Sequence, residues 1–90
     1  MDERWSKAMA ATSLKEAHEA VEGLMPAPNA SRELWLDFHR RAVGVYERIA
    51  DVDRWHHHEA LYWVSRERAK AEQVARAGSS GGSDRAGRVG

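Results

Sequence analysis

The sequence predicts an all-α protein, either a three-helix bundle or a helical hairpin with an N-terminal helix added. Three observations lead there. No segment sustains the apolar-polar alternation of period two that a half-buried strand needs. From Leu34 to Val52, apolar residues recur at spacings of three and four. Good N-capping residues stand where the helical patterns begin, and Gly or Pro stands where the first of them ends.

Residues 1–12 are expected to be a frayed lead-in: RWSKAMAA, residues 4–11, contains good helix formers with Trp5, Ala8 and Met9 on one side, but it is short and uncapped. A helical domain follows over 13–76. Ser13 and Glu16 form a capping box, and Leu14, Ala17, His18, Val21, Leu24 and Met25 fall on one helical face. The first helix therefore spans 14–22. Gly23 can close it in the left-handed conformation, and Pro26 and Pro28 in MPAPNA prevent its continuation.

Ser31, or Asn29 if the start lies earlier, caps a second helix over 32–51. Its apolar face is Leu34, Trp35, Phe38, Ala42, Val45, Tyr46, Ile49 and Val52, with charged residues opposite. Asp37 and Arg41, at i and i+4, make a solvated pair worth only about 0.3 to 0.5 kcal/mol. Asp51 and Asp53 then favour a break near Asp53, because Asp is a poor interior helix residue and a good N-cap. A third helix is predicted over 54–76, with Trp55, His58, Leu61, Tyr62, Val64, Ser65, Ala69, Ala71 and Val74 facing inward in various turns. The Gly/Ser-rich stretch 77–90 has almost no apolar content and is expected to be a disordered tail.

Composition narrows the function classes. Ninety residues allow one domain with a thin stability margin, which a partner or self-association would widen. Lys plus Arg equals Asp plus Glu at 14 each, which argues against a dedicated nucleic-acid binder. Charge is unevenly placed, however, at −2 for residues 1–28, −1 for 29–64 and +3 for 65–90. With no Cys there is no disulfide framework, thiolate zinc site or thiol nucleophile, which favours a cytoplasmic setting. The N-terminus lacks the apolar core of a signal peptide, and no apolar run is long enough to span a membrane.

The chemically densest stretch is DVDRWHHHEALYWV, residues 51–64. Successive helical residues point about 100° apart, so His56, His57 and His58 do not converge on one ion from a regular helix. A structural role for the three is expected, with partner contacts or pH sensing as the alternatives and no metal site. Asp53, one turn before His57, is the partner expected to hold that imidazole protonated. No phosphate loop or nucleophile-base arrangement is present, and the carboxylates Glu47, Asp51, Asp53 and Glu59 suit capping and pairing with Arg48 and Arg54. The sequence therefore points to a non-enzymatic protein without a cofactor.

Aromatic content carries more weight. Seven aromatic residues, each able to bury about 150 to 250 Å², exceed what a small helical core easily encloses. Either all are core, or part of the surplus is an exposed patch that binds a second copy or another protein. The interaction candidates are Trp35, Trp55, Trp63, Tyr62 and His57. The lesser alternative is a small nucleic-acid-associated regulator using the basic end, with Arg66, Arg68, Lys70 and Arg76, although Glu67 and Glu72 interrupt that row.

Taken together, DRWHHHEALYW and LWLDFHRRA resemble a group of small actinobacterial proteins of uncharacterised role, over residues 13–75. The resemblance implies no activity, ligand or catalytic residue. It agrees with an Arg-rich and Ala-rich composition of the kind that genomes high in G and C encode.

Overall fold

A long helical hairpin carries the molecule. Helix α3, Arg32–Val52, is followed by a single 3-10 turn at Arg54–His56 and by helix α4, His57–Val89, which returns antiparallel along it. Two shorter helices, α1 at Glu3–Ala10 and α2 at Leu14–Glu22, pack on the hairpin. This computed structural model describes residues 3–77 with their side chains and carries the backbone of α4 to Val89. Of the stretch 77–90, expected to be a disordered tail, the side chains of residues 78–90 lie outside those so described. Among the described residues there is no strand, and no helix is long and apolar enough to cross a membrane.

Where a frayed lead-in was expected, Glu3–Ala10 is helical and part of the core. Eight residues are too few to hold a helix alone, so its stability comes from tertiary packing. Trp5 is only 5% exposed, and its ring lies 5.9 Å from that of Phe38 on α3. Ala8 and Ala11 are buried beside it.

The cap of α2 forms as predicted on one side. Ser13 Oγ accepts the Glu16 N–H at 3.2 Å. The Glu16 carboxylate turns instead to Thr12, accepting its backbone N–H at 3.0 Å. Gly23 does not take the left-handed conformation; its φ of −70° is right-handed. The helix ends by tightening, with the Leu24 N–H reaching the Val21 carbonyl, so no positive φ is required before Pro26 stops the chain.

In α3 the predicted stripe is the core. Phe38, Ala42, Val45, Tyr46 and Ile49 are buried, Ser31 Oγ caps the Leu34 N–H at 3.2 Å, and Arg41 meets Asp37 at 2.8 Å. Leu34 and Val52, at the two ends of the stripe, are exposed.

The break at Asp53 is present, but only Val64, Ala71 and Val74 of the predicted inward face of α4 turn to the core. Ala60, Val64, Glu67 and Ala71 are buried and Trp63 and Val74 are half-buried, while Trp55, His58, Leu61, Tyr62, Ser65 and Ala69 are exposed. The core stripe consists of small residues interrupted by a carboxylate, so the larger apolar side chains marked the wrong side of the helix.

Candidate functional site

A cleft of about 600 Å³ opens where the C-terminal half of α2 faces the hairpin. His18, Val21 and Glu22 come from α2, and Met25 from the turn after it. Trp35, Phe38, His39 and Tyr46 come from α3, and Trp63, Arg66, Glu67 and Lys70 from α4. The spacing explains the convergence: 35, 38, 39 and 46, like 63, 66, 67 and 70, repeat every three to four residues and so share a helix side.

Two polar pairs stand in this aromatic setting. His39 Nδ1 lies 2.6 Å from Glu67 Oε1, and both residues are buried. Burying a carboxylate without such a partner would be strongly unfavourable. The second pair joins the Tyr46 hydroxyl to His18 Nδ1 at 2.8 Å. Burial pushes the Tyr46 hydroxyl well above the usual tyrosine range, and the negative charges of Glu67 and Glu22 push it further. The phenol therefore stays protonated at all physiological pH values.

Aromatic contacts surround these pairs. Trp63 stacks on Tyr46 at 6.0 Å and 29°, and meets His18 edge-on at 4.6 Å. Trp35 lies 5.7 Å from both Phe38 and His39, and its indole N–H donates to the Ala27 carbonyl at 3.1 Å. Arg66 lays its guanidinium 5.4 Å over the Trp63 ring.

The sequence-derived candidates separate into two groups. Trp35 and Trp63 are half-buried and line the cleft. Trp55, 94% exposed, and Tyr62, 57% exposed, stand outside it. With His58 they fall at i, i+3 and i+7, and Leu61, 41% exposed, adds to the group. Trp55 was expected to face inward, but it sits in the 3-10 turn ahead of α4, where neither the helical stripe nor a neighbouring helix covers it.

His57 does not pair with Asp53. Its Nδ1 donates to the Ala50 carbonyl at 2.6 Å, covering one of the orphan acceptors at the end of α3. His56 takes the carboxylate, with Nδ1 2.9 Å from Asp53 Oδ2. The 3-10 turn tightens the path, placing residue 56 rather than 57 beside Asp53. His58 is exposed and its ring meets that of His57 edge-on at 5.3 Å, and among the described residues no three His, Asp or Glu side chains are gathered to hold a metal ion.

On the basic end, Arg68 is engaged by Glu47 at 2.7 Å, and Arg76 reaches Glu72 at 3.9 Å. Arg48, expected to pair with a carboxylate, donates to the Ala11 carbonyl instead.

No protein-family model, curated protein or solved structure matches this chain.

Proposed function

We propose that the chain is a non-enzymatic helical interaction module that associates through Trp55, Leu61 and Tyr62, with a second copy of itself as the partner. One observation carries the reading: Trp55 is 94% exposed in the 3-10 turn, with three further large apolar side chains, Val52, Leu61 and Tyr62, exposed within seven residues of it. A surface indole gains far more from being covered than it contributes in water, and Trp and Tyr are the side chains most often found anchoring interfaces. The surrounding chemistry supports the same view. The Nδ1 contacts of His39 with Glu67 and of His18 with Tyr46 are of the kind a structural network makes.

A cytoplasmic setting belongs to the same proposal and rests on the cysteine-free sequence. The test is the mass of the chain in solution over a range of concentrations, for wild type and for Trp55→Ala. Association that grows with concentration and is lost in the variant supports the reading. A chain that stays monomeric throughout refutes self-association.

A further inference from the structure

On residues other than the Trp55 group, we propose that the cleft between α2, α3 and α4 binds a flat aromatic carboxylate. Its volume, about 600 Å³, lies within the range of small-molecule sites. Three features of the lining specify the ligand.

The first is an aromatic lining. Trp63, beside Tyr46, and Trp35, beside Phe38 and His39, line one cleft, and a flat ring system packs well edge-on or offset against such side chains.

The second is a positive edge. Arg66 and Lys70 lie one turn apart on α4 and both line the cleft. Neither forms an ion pair among the described residues, although every other basic side chain from Arg66 to Arg76 does. Arg66 is held over Trp63 rather than extended into solvent. Two cations one turn apart offer charge-assisted hydrogen bonds to a single carboxylate. Of the two acids in the lining, Glu67 is committed to His39 and Glu22 stands on the α2 side, which leaves the α4 edge for the anion.

The third is a pair of imidazole nitrogens. Nδ1 of His18 and Nδ1 of His39 are taken by Tyr46 and Glu67, so Nε2 of each ring has no hydrogen-bond partner among the described residues. Few polar groups among apolar walls are what orient a ligand in a small-molecule site.

The experiment titrates the full chain with 2-naphthoate, 1-naphthoate and indole-3-carboxylate, and with neutral 2-naphthamide as control. Binding is followed by calorimetry and by the NMR signals of the indole N–H groups and imidazoles. The expected result is saturable one-site binding of at least one carboxylate, with shifts at Trp63, Trp35, His18 and His39. The amide should bind about ten-fold more weakly or less, and the doubly substituted Arg66→Gln, Lys70→Gln chain should lose a similar factor for the carboxylate. Both positions lie on the rim, so circular dichroism should report an unchanged fold. The proposal is overturned if none of the three carboxylates saturates below about 1 mM, if the amide binds equally well, or if the shifts fall on Trp55 and Tyr62 instead.

Discussion

The Asp53 carboxylate accepts the backbone N–H of Leu14 at 2.9 Å, across 39 residues of sequence. It closes the first turn of α2 from the junction between α3 and α4, adding a negative charge where the helix dipole favours one. The same oxygen meets His56. That carboxylate is held below its ordinary value, first by the Leu14 N–H and then by His56.

The sign of the pH dependence follows from that depression. A carboxylate whose folded pKa is lowered contributes stability that is fully present above its unfolded value near 3.9 and is lost as pH falls through the folded value. Asp53→Asn keeps an acceptor for Leu14 but cannot titrate. Thermal midpoints recorded between about pH 2 and 5 should therefore fall less steeply for Asp53→Asn than for wild type. Parallel curves would rule out this role for Asp53.

Trp5→Ala tests whether α1 belongs to the core. Trp5 packs on Phe38 at 5% exposure, so its loss should cost about 3 to 5 kcal/mol in urea unfolding. Trp35→Ala should cost clearly less, because that ring is only half-buried. An equal or reversed order contradicts the packing described.

His39 and Glu67 should behave as a unit. Glu67→Ala leaves a buried imidazole unpartnered and should cost about 3 kcal/mol. Replacing both, as His39→Leu with Glu67→Leu, should recover most of that loss, because an apolar pair needs no partner. If the double variant is as unstable as the sum of the singles, the two residues do not act together.

Tyr46 should resist ionisation. In a Tyr62→Phe background, the absorbance rise of tyrosinate should be missing near pH 10, the ordinary value for tyrosine. The raised folded pKa contributes stability fully present below the unfolded value and lost as pH climbs towards the folded one, so alkaline unfolding should begin above about pH 10. A tyrosinate signal centred near pH 10 in the folded chain would contradict the burial of this hydroxyl.

Local signals were legible wherever the residues act within one helix. The Ser31 cap, the Asp37 to Arg41 pair, the span of α2 and the buried stripe of α3 all follow from spacings of three and four. What depends on a distant partner was not. Helix α1 exists because Trp5 finds Phe38, and Asp53 caps a helix that begins 39 residues earlier. The inward face of α4 was placed only in part, because Glu67 occupies a core position and resembles surface charge until His39, 28 residues away, is brought against it. Of the candidate site, the sequence marked Trp35 and Trp63 and set His18 and Tyr46 on apolar helix faces, but it had no signal that would join His39 and Glu67 to them.

Association through the exposed aromatic turn is read out by sedimentation equilibrium of wild type and Trp55→Ala from micromolar to millimolar concentration. Removing so exposed a side chain should leave folding stability within about 0.5 kcal/mol. Wild type should therefore pass from monomer to dimer as concentration rises, and Trp55→Ala should remain a folded monomer over the same range. A wild-type chain that stays monomeric, or a Trp55→Ala chain that dimerises equally well, would contradict the account.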